Sequence, residues 1–398
     1  MIWQMTAQIL FLTSLAALFY VYIGYPLLVY FVSLVRPLEI KKSFIEPNVT
    51  ILITAYNEER DIRAKIENTL KIDYPKEKLE ILVASDGSTD RTDEIVKGFY
   101  TEGVKLFRQE GRKGKTFTQN KAVEISKGEI ILFSDATTYY KSDVLREILP
   151  NCADETVGCA AGKLIYVDDS ESSVGSGAKS YWNYETFLKT SESRACSLIG
   201  ASGCLYAIRK AAYREMYAEA CSDFLICTIL FRQGLRSVYE PDAVCTEETN
   251  RHAGNELKMR VRVISQTFTD LWRNRDMLDP LKRGFYAVEL FSHKLMRYAV
   301  PVFLFLLFIS TAFLAATSTL FFIILAAQII FYLFGLIGWI MEKRGVTLLV
   351  FSMPLYFVLA NLASAVAFYK FLHGERYERW ETVRETQEEK ISSFEHTV

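Results

Sequence analysis

The stretch "EIILFSDATTYY", Glu129–Tyr140, is an apolar run that ends abruptly in one carboxylate, Asp135. A short apolar run bounded by polar residues predicts a buried β-strand, and Asp135 stands where that strand would end. A second carboxylate two residues later would complete a metal-binding pair, but Thr137 occupies that position. Asp135 is therefore either a metal ligand or a polar residue that closes a buried strand.

Strand-like and helix-like stretches alternate on the N-terminal side of that run. Strands are predicted at "VTILITAY", "LEILVASD" and "VKLFR", and helices at "NEERDIRAKIENTL", "STDRTDEIVKGF" (capped near Ser88 or Thr89) and "KTFTQNKAVEISK". Strands that alternate with helices at this spacing predict an α/β domain with a mostly parallel, Rossmann-like sheet.

Polar residues follow three of the predicted strands directly. Tyr56, Asn57 and Glu58 come after the first strand, Asp86 after the second, and Asp135 ends the fourth. In open sheets of this type, ligands bind at the carboxyl ends of the strands. The sequence therefore predicts a ligand site at one rim of the sheet.

Long stretches outside this region carry no charged residue, namely 1–35, 298–341 and 346–369. A helix needs about 20 apolar residues to cross a bilayer. We therefore predict an N-terminal transmembrane anchor in residues 1–46, and further transmembrane helices in residues 298–372, at roughly 298–318, 320–341 and 347–370. Arg36, Lys41 and Lys42 follow the anchor, which by the positive-inside rule places the soluble domain in the cytoplasm.

Residues 256–297 are amphipathic and basic, and they predict helices on the membrane surface whose Arg and Lys side chains reach lipid head groups. The alternative is that these helices pack only on the soluble domain. A charged tail, 373–398, closes the chain. Three spans after a cytoplasmic domain would put this tail outside, whereas its basic residues favour the inside, and both arrangements remain open.

The composition excludes several classes of protein. The chain has 398 residues, half of them hydrophobic, and a formal net charge of −1, which does not suit a nucleic-acid-binding protein. All seven cysteines lie between Cys152 and Cys245 without a CxxC pair, so we expect reduced thiols rather than disulfides or a zinc site.

Six motifs occur in order: "VTILITAYNEE", "ILVASDGSTDRT", "GRKGKTFTQNKA", "ILFSDATT", "IGASGCLYAIRK" and "CSDF". Together they resemble the membrane-bound family-2 glycosyltransferases, inverting enzymes of the GT-A fold related to hyaluronan, cellulose and poly-N-acetylglucosamine synthases. The resemblance covers about residues 47–270, with the glycosyltransferase domain expected at 47–255. It implies a nucleotide-sugar donor, expected to be a UDP-sugar, a lipid-linked or glycan acceptor, and a location in the plasma membrane of a bacterium or archaeon.

The resemblance also implies roles for residues on the donor side. Tyr56, Glu58 and Asp86 would hold the nucleotide, and Lys113 in "GRKGK" would assist the diphosphate. The alternatives are a turn residue for Asp86 and a solvated charge cluster for the lysine. Asp135 would bind the donor and a divalent cation, with either Thr137 or a water as the neutral second ligand. Mg²⁺ or Mn²⁺ suits such oxygen ligands.

On the acceptor side, Asp223 matches the position of the catalytic base, which would deprotonate the acceptor hydroxyl. Its alternative is an N-cap, because it stands at the start of an apolar helix. Trp182, Glu185, Gly200 and Gly203 would shape the sugar and acceptor pocket, although Trp182 is equally consistent with core packing.

Processive family members carry a Gln-x-x-Arg-Trp motif that holds the growing chain. In Met259–Val263 only Arg262 matches it, and Met259 and Val263 replace the Gln and the Trp, so a single transfer is favoured. Trp380–Arg384 loosely resembles a Trp-Gly-Thr-Arg element of hyaluronan-type enzymes. A processive synthase coupled to secretion and a non-catalytic membrane protein that binds nucleotide sugar remain alternatives.

Overall fold

The computed structural model describes residues 2–167, 173–248, 252–344, 346 and 348–379. At its centre is an eight-stranded sheet of order β3-β2-β1-β4-β7-β6-β8-β5. The strands are β1 Val49–Ala55, β2 Leu79–Ser85, β3 Val104–Arg108, β4 Ile130–Asp135, β5 Tyr139–Tyr140, β6 Val157–Val167, β7 Tyr206–Arg209 and β8 Arg236–Glu248.

Fourteen α-helices are formed by the described residues. They are α1 Ile2–Phe19, α2 Tyr25–Val35, α3 Ile62–Leu70, α4 Thr92–Lys97, α5 Lys115–Ile125, α6 Val144–Ile148, α7 Ser173–Ala195, α8 Ser222–Arg232, α9 Ala253–Arg273, α10 Pro280–Arg283, α11 Phe285–Leu290, α12 Val300–Ala315, α13 Thr319–Glu342 and α14 Leu349–Leu372. Two π-helical turns, Tyr20–Gly24 and Phe291–Met296, join α1 to α2 and follow α11.

The sheet confirms the predicted α/β class. β1 pairs in parallel with β2 and β4, and β3 extends β2 in parallel. β7 is antiparallel to β4, and β6 is antiparallel to β7, so β6 recovers the direction of β4. β8 is parallel to β6. As a result β1, β2, β4, β6 and β8 all end at the same rim.

Helices cover both faces of the sheet because the residues of its central strands are apolar on both sides. Ile51 and Ile53 pack in the cluster that includes Ile62 and Ile66 of α3, while Leu52 packs in the opposite cluster. β-Strand side chains alternate between faces, so this division follows from the strand itself.

Two helices begin later than the sequence predicts. Asn57 adopts φ +55°, a turn conformation that delays the first helix, so α3 starts at Ile62. α4 starts at Thr92, whose N–H is accepted by Asp90 Oδ1 at 3.0 Å, rather than near Ser88 or Thr89. A side-chain acceptor two residues before the helix thus replaces the predicted cap.

Three helical stretches are long and apolar enough to cross a membrane: residues 2–35, Thr319–Glu342 and Leu349–Leu372. A fourth exists if Phe285–Met296 and Val300–Ala315, which are bent by 56° relative to each other, are counted as one span. The predicted span at roughly 298–318 corresponds to α12, which has 16 residues and begins after that bend, and its crossing of a membrane stays a prediction.

α14 lies side by side with α9 over most of its length. Ser265 Oγ of α9 donates to the Ala367 carbonyl at 3.4 Å, and the Phe268 ring lies 5.5 and 5.7 Å from the rings of Phe368 and Phe371. Contacts between the two helices therefore run from the first half of α14 to its C-terminal end.

Three basic side chains of the amphipathic region differ from the prediction. Arg260, Lys294 and Arg297 turn inward and line a cavity instead of reaching outward to lipid head groups. The buried carboxylates of Glu256 and Glu185 explain this for the arginines, because they accept from Arg260 at 2.7 Å and from Arg297 at 3.0 Å. The tail motif Trp380–Arg384 lies outside the described residues.

Candidate active site

The loops that follow β1 and β2 are tied together at the rim. Asn57 Oδ1 accepts from the Thr89 N–H at 2.8 Å, and the Glu58 N–H donates to Thr92 Oγ1 at 2.7 Å. The guanidinium of Arg112 lies 4.0 Å from the centre of the Tyr56 ring, in cation–π contact. The predicted meeting of Tyr56, Glu58 and Asp86 at one edge is therefore present, while their contact with a nucleotide stays a prediction.

Asp86 organises the basic loop. It is fully buried. Its Oδ1 accepts from the Lys113 N–H and from Thr118 Oγ1, both at 2.8 Å, and its Oδ2 accepts from the Gly114 N–H at 2.9 Å. Asp86 is therefore more than an ordinary turn residue, because three hydrogen bonds from the segment 113–118 set the shape of that loop.

Backbone approaches around the basic loop require glycine. Gly87 has φ +69°, and a Cβ there would lie 2.7 Å from the Gly111 carbonyl oxygen. Gly114 has φ +100°, and a Cβ there would collide with the carbonyl oxygen of Glu378. The segment after α14 thus returns to the site, where Gln266 Nε2 also donates to the Tyr377 carbonyl at 2.9 Å.

Lys115 lies between the predicted metal ligand Asp135 and the predicted base Asp223. Its Nζ forms an ion pair with Asp135, and a Cβ on Gly203 would lie 3.7 Å from that Nζ and 3.4 Å from Asp223 Oδ2. Burial opposes the charge, but the carboxylates of Asp135 and Asp223 outweigh it and raise the pKa of Lys115. A cation is therefore held at the centre of the site.

The sequence analysis predicted Lys113 as the lysine of the site, whereas the structure places Lys115 there. The side chain of Lys113 is exposed, and the residue contacts the site through its backbone N–H, which donates to Asp86. Lys113 and Lys115 belong to the same motif, but only Lys115 is in α5, which begins at that residue. The side chain of Lys115 therefore enters the site, whereas that of Lys113 is exposed. The assistance of Lys113 to a diphosphate remains a prediction.

Glu247 is a site residue that the sequence analysis missed. Thr137 Oγ1 donates to Glu247 Oε1 at 2.7 Å. Burial and the nearby charge of Asp135 raise the pKa of the Glu247 carboxyl to about 7. Glu247 stands at the carboxyl end of β8, just as Tyr56, Asp86 and Asp135 stand at the ends of β1, β2 and β4. A polar residue at the end of a strand is therefore the signal that could have identified it. It was overlooked because the direction of β8 depends on two antiparallel pairings.

The residues present fit a divalent cation bound together with a phosphate-bearing ligand. Within the described ranges no group of three or more His, Cys, Asp or Glu side chains could hold a metal alone. Asp135 and Glu247 nevertheless place two carboxylates beside the Thr137 hydroxyl. Mg²⁺ commonly takes one or two protein carboxylates and obtains its other ligands from substrate phosphates and water.

Asp223 is not the cap of its helix. It is the second residue of α8, the N-cap position belongs to Cys221, and no side chain caps that end. Asp223 Oδ1 accepts from the Cys221 thiol at 3.2 Å, and Oδ2 faces Gly203. The N-cap alternative is therefore wrong, and the carboxylate lies beside Lys115.

The predicted acceptor residues are only partly brought together. Lys189 Nζ lies 5.2 Å from the centre of the Trp182 ring and donates to Ser202 Oγ at 2.7 Å. Trp182 also packs edge-to-face on Tyr166 at 5.5 Å, so it is both a core residue and a neighbour of the site. The side chain of Glu185 instead points towards His293, and its Oε1 pairs with His293 Nε2 at 2.8 Å.

Gly200 and Arg262 are the remaining predicted acceptor residues. A Cβ on Gly200 would lie 3.4 Å from the ring of Phe224, the residue after Asp223. The positive charge of Arg262 opposes the protonation of Lys115, so Arg262 of α9 faces the same site. Their contact with an acceptor stays a prediction.

Comparison with known proteins finds a family match that includes part of this rim. Residues 50–217 match the protein family described as Glycosyl transferase family 2. Residues 50–217, less than half of the chain, are therefore similar to a family-2 glycosyltransferase domain. That match includes the segments that supply Asp86, Lys115 and Asp135, whereas Asp223 and Glu247 lie beyond it.

Curated relatives resemble part of this chain. It is 36% identical over 123 residues to the probable glycosyltransferase YdaM of Bacillus subtilis, which covers 29% of each chain. It is 33% identical over 116 residues to a beta-monoglucosyldiacylglycerol synthase of Nostoc, which covers 28% of this chain and 25% of the relative. The chain thus spans less than a third of the length of these relatives.

One solved structure matches the fold along most of the chain. The mannosyltransferase PcManGT from Pyrobaculum calidifontis, in complex with GDP-Man and Mn²⁺, superposes with a TM-score of 0.70. The match covers 92% of this chain and 99% of the other at 22% sequence identity. The similarity confirms the GT-A-like fold together with its helical additions.

Proposed function

We propose that the protein is an integral-membrane, inverting glycosyltransferase. It transfers one sugar from a nucleotide-sugar, expected to be a UDP-sugar, to a lipid-linked or glycan acceptor at the cytoplasmic face. The observation that carries this proposal is the meeting of Asp135, Lys115 and Asp223 at the carboxyl rim of a family-2 domain. A cation flanked by two carboxylates suits a reaction in which a diphosphate leaves and a hydroxyl loses its proton.

In the proposed reaction the acceptor hydroxyl oxygen attacks the anomeric carbon on the face opposite the diphosphate. The new carbon–oxygen bond forms as the bond to the diphosphate oxygen breaks, and the nucleoside diphosphate leaves with the electron pair. Asp223 accepts the hydroxyl proton. The ammonium of Lys115 stabilises the negative charge that develops on the leaving group.

Asp135 and Glu247 would hold Mg²⁺ or Mn²⁺, with Thr137 positioning Glu247 through its hydrogen bond. When bound, the cation supplies positive charge that neutralises the diphosphate. Structural similarity to a complex that contains Mn²⁺ supports this assignment. In this proposal Thr137 does not bind the cation itself. Its hydroxyl instead orients Glu247, which supplies the second carboxylate.

The remaining predicted residues divide between donor and acceptor. Tyr56, Glu58, Asp86 and Lys113 serve the nucleotide and diphosphate, with Asp86 acting through the loop that it organises. The acceptor side is formed by Trp182, Glu185, Gly200, Gly203 and Arg262. In this division Glu185 acts by fixing His293 and Arg297.

The test is transfer by purified protein in proteoliposomes, with UDP- and GDP-sugars screened with and without Mn²⁺. With the correct donor, Asp223→Asn should lower kcat by about a hundredfold or more, because the acceptor proton loses its base. Asp242→Asn is the matched control, since Asp242 is an exposed carboxylate of β8. Wild-type turnover by Asp223→Asn would make the base assignment wrong, and no metal-dependent use of any nucleotide-sugar would contradict the whole proposal.

Product length distinguishes single transfer from processive synthesis. Arg262 lies near the site as the processive motif requires, but Met259 and Val263 flank it where Gln and Trp would stand. We expect products extended by one sugar. Long polymer made by this chain alone would favour the processive alternative.

A further inference from the structure

A cavity of about 300 Å³ lies between α7, α9, α14 and the π-helical turn Phe291–Met296, next to the proposed active site. One wall is basic and consists of Arg260, Lys294 and Arg297. A second wall is phenolic and includes Tyr181 and Tyr298. Of the described residues that line the cavity, none carries a carboxylate.

Among the described residues, one cation of the basic wall forms no salt bridge with a carboxylate. Arg260 and Arg297 are held from behind by Glu256 at 2.7 Å and by Glu185 at 3.0 Å. The ammonium of Lys294, by contrast, forms no hydrogen bond or salt bridge within the described part of the chain, and it lies 5.5 Å from the centre of the Phe224 ring. The carboxylate of Glu185 attracts the Lys294 ammonium but forms its salt bridges with His293 and Arg297 instead. The cavity therefore offers space for an anion to pair directly with Lys294.

The surroundings favour an anion attached to a lipid. Phe224 is the residue after Asp223, so Lys294 stands close to the proposed base. On the other side the cavity is lined by Met353 and Phe357 of the apolar helix α14, and Met353 is 60% exposed. A ligand here would meet cations and hydroxyls at one end and apolar side chains at the other.

We propose that this cavity binds the phosphate that links the acceptor's head group to its lipid. Arginine forks bind phosphate oxygens in pairs, and tyrosine hydroxyls donate to them. The inference rests on the proposed function, because it places the reacting hydroxyl of the same lipid near Asp223. Glu185 and Glu256 act as positioning residues that hold the two arginines against the cavity.

The test measures binding of undecaprenyl phosphate to the full chain in phosphatidylcholine nanodiscs, with undecaprenol and inorganic phosphate as the other probes. We expect the lipid phosphate to bind at least about tenfold more tightly than either, since each alternative lacks one half of the ligand. Lys294→Gln should weaken this binding roughly tenfold or more, whereas Lys294→Arg should retain it within about threefold because it keeps the charge. Lys258→Gln, an exposed lysine of α9, is the matched control for general surface attraction.

Three results would overturn the inference: equal binding of lipid phosphate and undecaprenol, inorganic phosphate binding as tightly as the lipid, or an equal loss in Lys258→Gln and Lys294→Gln. Binding of UDP and UDP-sugars to the wild type is measured separately. Donor binding without lipid-phosphate binding contradicts this inference alone. Lipid-phosphate binding without any nucleotide-sugar binding contradicts the proposed function instead.

Discussion

At the scale of single residues, the site depends on short polar contacts between segments that are distant in the chain. Thr137 and Glu247 are 110 positions apart, yet their side chains are joined by a hydrogen bond of 2.7 Å. We therefore expect β8 to supply the carboxylate that "DATT" lacks. This contact supports the proposal that a motif with a single aspartate can still provide two carboxylates to a cation.

Glu247→Gln should weaken the response to metal. The substitution keeps the size of the side chain but removes its charge, so we expect the Mn²⁺ concentration for half-maximal donor hydrolysis to rise about tenfold or more. Glu248→Gln is the matched control, because Glu248 is the exposed neighbour on the same strand. An unchanged Mn²⁺ titration for Glu247→Gln would show that Glu247 takes no part in metal binding.

Gly114→Ala should disrupt the basic loop. Its φ of +100° is unfavourable for alanine, and the added Cβ would collide with the Glu378 carbonyl oxygen. We expect UDP binding, measured by calorimetry, to weaken about tenfold, since strain of this kind costs roughly 1–3 kcal/mol. Gly254→Ala is the control, because a Cβ there meets nothing within 4 Å, and it should leave binding unaltered. Equal UDP affinity in both variants would contradict the role given to the loop.

At the scale of elements, α3 is anchored to the segment after β4 by a buried lysine. Lys65 is fully buried, its Nζ donates to the Thr138 carbonyl at 2.6 Å, and it lies 3.6 Å from the centre of the Tyr140 ring. Burial lowers the pKa of Lys65 from 10.5 to about 7. The folded protein thus releases this proton near neutral pH, whereas the unfolded chain retains it to higher pH.

This difference predicts a pH dependence of stability. Between about pH 7 and pH 10 the unfolded chain binds more protons than the folded protein, so the Lys65 contribution rises with pH, by at most about 1.4 kcal/mol per pH unit. From pH 7 to pH 9, the Tm of the wild type should rise relative to that of Lys65→Met. Lys71→Met, at the exposed end of α3, should follow the wild type. If the Tm of the wild type and that of Lys65→Met changed equally with pH, the lowered pKa assigned to Lys65 would be wrong.

At the scale of the whole molecule, contacts at the helix ends indicate the topology. Glu342 at the end of α13 accepts from the Ala253 N–H of α9 at 2.6 Å, so α13 ends beside the glycosyltransferase domain. At the opposite end of the bundle, Phe11 of α1 packs edge-to-face on Phe321 of α13 at 5.2 Å. α14 starts near the domain and ends near Gln266, so both of its ends lie on the domain side.

We therefore infer that α12 and α13 cross the membrane and that α14 lies along its surface, with the segment after α14 on the same side as the domain. Labelling of single cysteines in intact cells with a membrane-impermeant maleimide tests this arrangement. Thr317→Cys, in the turn between α12 and α13, should react in intact cells. Glu375→Cys and the domain reference Thr101→Cys, both exposed, should react only after permeabilisation. Reaction of Glu375→Cys in intact cells would place that segment on the other side.

The sequence by itself determined the order of β1 to β4 and of the helices between them, the shared rim of Tyr56, Asp86 and Asp135, and the positions of the apolar stretches. These features depend on periodicity among neighbouring residues and on the rule that parallel strands end together. Only the tertiary structure decided that Lys115 lies between the aspartates, that β8 contributes Glu247, and that α14 packs along α9. The physical reason is that these contacts join segments far apart in the chain, and packing of the folded chain, rather than local pattern, brings them together.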